Sequence, residues 1–127
     1  MPGEKILYIE DDFRNRLLVQ RILTAYGYNV VEAETGKEGM RLAKEITPDL
    51  ILMDINLPEM DGYEATALLK KVDALADVPI IAMTANVMKG DREKTLEAGC
   101  DGYIQKPIDV DLLPDQIEEF LAARGKA

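Results

Sequence analysis

Apolar residues fall into five short runs along the chain: Ile6-Leu7-Tyr8-Ile9, Val30-Val31, Leu50-Ile51-Leu52-Met53, Pro79-Ile80-Ile81-Ala82-Met83 and Gly102-Tyr103-Ile104. The stronger runs are continuous rather than alternating, which is the pattern of strands covered on both faces. Segments with helical spacing separate them: Leu18, Ile22 and Ala25; Gly39, Ala43 and Ile46; Ala65, Leu68, Leu69 and Val72; Leu113, Ile117, Phe120 and Leu121. Local punctuation agrees. Thr35-Gly36-Lys37-Glu38 has capping-box spacing, Gly27 and Gly99 suit the position just past a helix end, and Asp109 suits the cap of the last helix. Val87 to Ala98 is charged almost all round and has Gly90 inside it, at a cost of about 1 kcal/mol relative to alanine in a helix. A helix there is loosely anchored. Strand and helix alternate five times along the chain, which requires parallel pairing, right-handed crossovers and helices on both sheet faces. The expected fold is a doubly wound α/β sandwich.

The length of 127 residues fits one domain, and an apolar content of 47% is too high for a disordered acidic tail. No apolar run approaches the ~20 residues of a membrane span. With 24 acidic against 15 basic side chains the formal charge is −9. That balance argues against direct binding to nucleic acid or anionic lipid, both of which need a positive surface. There is no histidine and one cysteine, Cys100, which excludes disulfide frameworks, His/Cys zinc sites and Ser-His-Asp or Cys-His nucleophiles. Any chemistry must come from carboxylates, hydroxyls, lysines or arginines. The start, Met1-Pro2-Gly3-Glu4-Lys5, lacks the apolar stretch of a secretory signal, so the expected compartment is the reducing cytoplasm.

In an open α/β sheet the ligand crevice lies beyond the carboxyl ends of the strands, where strand order reverses. Those ends carry Glu10, Asp11 and Asp12 after the first run, Asp54 after the third, Thr84 after the fourth and Lys106 after the fifth. With strand order 2-1-3-4-5 the first and third strands are neighbours, which sets Glu10 and Asp11 beside Asp54. Two carboxylates about 4 Å apart at an effective dielectric of about 20 repel by about 4 kcal/mol, so such a cluster needs protons or a cation. Oxygen ligands without histidine or cysteine point to Mg2+. Each residue also has an ordinary reading: the acidic run as a solvated turn, Asp54 as a turn or helix cap, Lys106 and Thr84 as surface and strand residues. Their joint placement on successive strand ends favours a site.

These residues resemble the receiver domain of two-component response regulators, and the resemblance covers essentially the whole chain. Leu7-Tyr8-Ile9-Glu10-Asp11 is similar to the family's acid pair and Leu52-Met53-Asp54-Ile55-Asn56-Leu57-Pro58-Glu59-Met60-Asp61-Gly62 to its phosphorylation loop. Met83-Thr84-Ala85 is similar to its switch strand and Lys106-Pro107 to its basic end. Asn15-Arg16 and Ala85-Asn86-Val87-Met88-Lys89-Gly90-Asp91 look most like stand-alone regulators of the DivK kind and the receivers of hybrid kinases. The resemblance implies a (βα)5 flavodoxin-like fold over 1–127, with no effector domain. It implies Asp54 as phosphoacceptor, and Mg2+ held by Glu10, Asp11, Asp54 and the backbone carbonyl of Asn56. Thr84 becomes the switch hydroxyl with Tyr103 following it, Lys106 the phosphoryl contact, and Lys106-Pro107 a cis peptide. Glu10 stands where some members have Asp, which suits water-mediated metal contact, and Asp12 is an additional acid.

The implied partners are a sensor histidine kinase or histidine phosphotransfer protein, which supplies the phosphohistidine this chain lacks, and a downstream protein target. The output face would combine the Val87–Ala98 segment, Tyr103 and the last helix. Asn56 and Asn86 would flank the water path that sets a slow self-dephosphorylation. Competing readings are a flavin module, an Asp-nucleophile phosphohydrolase and an interaction scaffold with an inactive pocket. The first needs a glycine- and hydroxyl-rich loop where Glu10-Asp11-Asp12 stands, and the second needs an acid where Asn56 stands.

Overall fold

The computed structural model describes residues 3–55, 57, 60–84, 93 and 97–123. Each apolar run is a strand: β1 (Lys5–Ile9), β2 (Asn29–Ala33), β3 (Leu50–Asp54), β4 (Ile80–Thr84) and β5 (Gly102–Gln105). Around them run α1 (Phe13–Ala25), α2 (Gly36–Ile46), α3 (Gly62–Lys70) and α4 (Leu113–Ala123), with a short 3-10 turn at Asp73–Leu75. The strands form one parallel sheet in the order β2-β1-β3-β4-β5, the doubly wound arrangement expected. The segment expected to carry a helix between β4 and β5, Val87 to Ala98, lies outside the described residues apart from 93, 97 and 98. Asn56 and Asn86 lie outside them as well.

Every residue of β3 and β4 is buried, whereas the edge strands β2 and β5 keep partly exposed positions. This difference is why the central runs are long and continuous in the sequence and the edge runs short. Successive side chains of a strand point to opposite faces. Leu7, Ile9, Ile51, Met53, Ile80 and Ala82 therefore feed one core, shared with Ala43 of α2 and Ala65 and Leu69 of α3. Ile6, Tyr8, Leu50, Leu52, Ile81 and Met83 feed a second core with Val19 and Leu23 of α1 and Leu113, Ile117 and Leu121 of α4.

The end signals do what their chemistry predicts. The Thr35 hydroxyl accepts from the Glu38 amide at 3.0 Å and caps α2, and Asp109 accepts from the amides of Asp111 and Leu112 ahead of α4. After α1, Gly27 takes φ +92° while its amide bonds Thr24 O and the Tyr28 amide bonds Leu23 O. A side chain at Gly27 would clash with its own backbone in that conformation, so glycine fits there.

Two helix faces differ from the periodic expectation. In α1 the buried residues are Arg16, Val19 and Leu23, with Ile22 partly buried, while Leu18 and Ala25 are exposed. Apolar residues at 17, 18, 19, 22 and 23 spread over much of that helix, and periodicity alone then leaves adjacent faces competing. The winning face is the one that brings Arg16 inward. In α3, Ala65 and Leu69 pack inward and Leu68 is exposed.

Candidate functional site

Three backbone hydrogen bonds continue the sheet past its strand ends: Glu10 N to Ala33 O at 3.0 Å, Ile55 N to Met83 O at 3.2 Å and Lys106 N to Thr84 O at 2.8 Å. They hold the residues leaving β1, β3 and β5 in register at one edge. Asp54 is the last residue of β3 and Thr84 the last of β4, and both are buried, at 2% and 4% exposure. Glu10, just beyond β1, is buried as well, while Asp11 is exposed.

The acidic run 10–12 divides into separate tasks. Asp12 caps α1, accepting from the amides of Arg14 at 2.8 Å and Asn15 at 3.4 Å. Glu10 turns inward, and its Oε1 accepts from Tyr8 Oη at 3.1 Å, Asn15 Nδ2 at 3.3 Å and Lys106 Nζ at 2.9 Å. Oxygens of Glu10, Asp11 and Asp54 all lie within 4.8 Å of one another, a cluster able to hold a metal ion. Lys106 Nζ also lies 3.3 Å from Asp54 Oδ1. Thus the carboxyl groups expected to meet do meet, with Lys106 as counter-charge. The helix-cap alternative for Asp54 is filled by Asp61, which accepts from the Tyr63 amide at 2.8 Å and caps α3.

Electrostatics follow from this packing. Burial works to raise the Glu10 carboxyl, but hydrogen bonds to Asp54 and Lys106, the Lys106 charge and the Asp12 amide outweigh it and pull it from the usual 4.5 to about 2. For Lys106 burial works downward, and the hydrogen bond to Glu10 with the charges of Asp54 and Glu10 holds the ammonium above its usual 10.5. Burial and the adjacent Glu10 charge push the Tyr8 phenol well above its usual range. Tyr8 therefore keeps its proton and donates a hydrogen bond to Glu10.

Tyr8 and Arg16, whose sequence context gives neither a site role, complete the site. Tyr8 belongs to an apolar run and Arg16 to an apolar helix face, where neither advertises polar contact. Arg16 donates from Nη1 to the backbone oxygens of Glu10 at 2.8 Å and Asp11 at 3.0 Å. A signal existed in the spacing: Asn15 and Arg16 occupy the first turn of the helix that leaves the acid pair. Thr84 and Tyr103 share a sheet face, because Ala82 pairs with Tyr103 in the parallel β4–β5 register. Tyr103 is half-buried against the first core. The Lys106-Pro107 peptide is cis, as the resemblance implied.

The donor set fits a hard divalent cation, since all its members are carboxylates and neither sulfur nor imidazole is present. A parallel sheet with reversed order places this anionic cleft where doubly wound α/β proteins bind their ligands. Residues 6–118 match the response regulator receiver domain, and the chain belongs to that family. It is 43% identical over 121 residues to the polar-differentiation response regulator DivK of Brucella anthropi, covering 95% of this chain and 98% of the relative. DivK of Brucella melitensis is 42% identical over 118 residues, with coverage of 93% and 96%.

Among solved structures, the receiver domain of a sensor histidine kinase from Pseudomonas aeruginosa, which has a magnesium ion coordinated in its active-site cleft, superposes with a TM-score of 0.87. It is 37% identical and the match covers 94% of this chain and 98% of that one. A chemotaxis protein of Vibrio cholerae has a TM-score of 0.89 at 24% identity, covering 93% and 98%, and shares the fold. None of the described helices is long and apolar enough to cross a membrane.

Proposed function

We propose that this protein is the phosphoacceptor of a cytoplasmic two-component phosphorelay, with Asp54 taking a phosphoryl group from a partner's phosphohistidine in a Mg2+-dependent reaction. The observation that carries this reading is a buried aspartate at the end of a central strand, with Lys106 3.3 Å away and carboxylates of Glu10 and Asp11 within 4.8 Å. A buried carboxylate in such company is costly unless it serves a cation or a reaction. The magnesium in the related kinase receiver supports the same metal here. A single buried thiol, Cys100, suits a reducing compartment.

When bound, Mg2+ would supply charge compensation for the incoming phosphoryl oxygens, held by Glu10, Asp11, Asp54 and the backbone carbonyl of Asn56. Asp54 contributes the nucleophile: one carboxylate oxygen forms the O–P bond as the N–P bond of the phosphohistidine breaks. The bonding pair leaves on the imidazole nitrogen, which takes up a proton from solvent. Lys106 stands beside the reacting oxygen and stabilises charge on the transferred group. Phosphorylation takes the Asp54 side chain from one negative charge to nearly two and adds acceptor oxygens. The Thr84 hydroxyl turns toward these and Tyr103 follows into the space released. The surface of Tyr103, the 87–98 segment and α4 then presents the altered face to a downstream protein.

The test is to add Mg2+ and acetyl phosphate to the intact protein and weigh it. A stable gain of one phosphoryl group that is absent in Asp54→Ala supports the reading. Repeated phosphate release would identify a phosphohydrolase instead, and an unchanged mass a scaffold with an inactive pocket. Unchanged amide exchange around Tyr103 on binding a phosphate mimic would remove the proposed output face.

A further inference from the structure

We infer that Arg16 is a positioning residue for the metal-holding acid pair: its guanidinium fixes the backbone that aims Asp11, and so sets the affinity of the cleft for Mg2+. This inference rests on the function proposed above. Arg16 is 8% exposed although it belongs to a surface helix. Its Nη1 donates to Glu10 O at 2.8 Å and Asp11 O at 3.0 Å. Those carbonyls belong to the two peptide units on either side of the Asp11 α-carbon. Holding both planes fixes φ and ψ of Asp11, and with them the direction of its Cβ. This matters because the Asp11 side chain is exposed and no hydrogen bond or ion pair to its carboxylate is found among the described residues. Among the described residues, Asp11 is aimed by its backbone alone.

Arg16 is in turn anchored from behind. Nη2 lies 3.4 Å from Glu34 Oε1, Nε lies 4.0 Å from Glu32 Oε1, and the guanidinium carbon is 5.8 Å from the centroid of the Phe13 ring. Only a planar guanidinium has the donor count and fixed geometry to bridge adjacent carbonyls and reach two carboxylates at once. Glu32 and Glu34 offset its charge, which limits any repulsion of a cation in the cleft.

Geometry and charge predict opposite outcomes, and this makes the role testable. If Arg16 acts by position, Arg16→Lys and Arg16→Met should both weaken Mg2+ binding by about 10-fold, the scale of loss when partners that orient metal ligands are removed. If it acts only as a nearby positive charge, Arg16→Met should bind Mg2+ more tightly and Arg16→Lys like the parent, which would overturn the inference. Calorimetric titration with MgCl2 on the whole protein reads this directly. Val19→Ala, in the core face of the same helix, controls for lost stability and should leave Mg2+ affinity within about twofold; an equal 10-fold loss there would overturn the inference. Amide exchange in metal-free protein provides an arm independent of binding: the Asp12 amide should exchange faster in both Arg16 variants. Unchanged exchange overturns the inference even if the parent binds Mg2+ well. Absence of Mg2+ uptake by the parent overturns the functional reading instead.

Discussion

Lys106 donates from Nζ to Oε1 of Glu10 across 2.9 Å, although the two residues are 96 positions apart and leave strands that are not neighbours in the sheet. The contact spans the ends of β3 and β4 and passes Asp54 at 3.3 Å. Lys106 thus occupies part of the electrostatic role that a divalent ion would take, and the acid cluster is held ready without fully repelling itself.

Replacing Lys106 by Met should destabilise the metal-free protein by roughly 2 kcal/mol, because it leaves buried carboxylates short of a partner. The same change removes a competing cation, so added Mg2+ should raise the melting temperature of Lys106→Met more than that of the parent. Phosphoryl uptake from acetyl phosphate should fall. Thermal melts with and without Mg2+, together with intact mass, check all three.

Acid should weaken the metal-free fold through Glu10. Its carboxyl is pulled from 4.5 to about 2 in the folded protein, so between those values the unfolded chain binds more protons and stability rises with pH. The contribution is complete above about 4.5 and lost as pH falls through about 2. Glu10→Gln should flatten this acid limb. Urea midpoints measured from pH 5 down to pH 2.5 would reveal it, and identical slopes in parent and variant would contradict it. Lys106 adds nothing to this window, since its raised value affects stability only as alkaline pH passes through it.

Gly62 should not tolerate a side chain. A Cβ there would lie 2.7 Å from Ile55 Cα and 2.8 Å from Asp54 O. Because backbone must yield, Gly62→Ala should cost about 1–3 kcal/mol and displace Asp54. Gly39 is a contrasting case, since the atoms nearest its added Cβ all belong to the side chain of Ile9. Gly39→Ala should be partly rescued by Ile9→Val, whereas Gly62→Ala should resist rescue. Denaturation midpoints of the single and double variants test the difference.

Asp12 should prove to be a helix cap rather than a ligand. Asp12→Ala is expected to cost about 1 kcal/mol of stability while leaving Mg2+ affinity within about twofold. The Asp12 amide that bonds Glu10 Oε2 at 3.3 Å belongs to the backbone and survives the change.

The acid run shows how far patterns reach. That Glu10, Asp11 and Asp54 would meet followed from strand ends and strand order. The division of Glu10, Asp11 and Asp12 into a buried hub, an exposed ligand candidate and a cap did not, because three consecutive acids have no distinguishing composition. The helix after them shows a related limit. With Leu17, Leu18, Val19, Ile22 and Leu23 all apolar, several faces of α1 satisfy the same periodicity, and the choice falls to packing against the sheet and to Arg16 reaching the carbonyls of Glu10 and Asp11.

Alternation of continuous apolar runs with helical segments dictated a doubly wound parallel sheet, since only buried parallel strands and crossover helices satisfy that pattern. It also dictated which residues stand at the strand ends, because in an all-parallel sheet the carboxyl end of every strand falls on the same edge. Tertiary structure alone decided that Tyr8, Asn15 and Lys106 converge on one oxygen of Glu10 and that Arg16 turns inward. Such contacts depend on side-chain direction and on distances of a few ångströms between remote segments, and no periodicity along the chain encodes these.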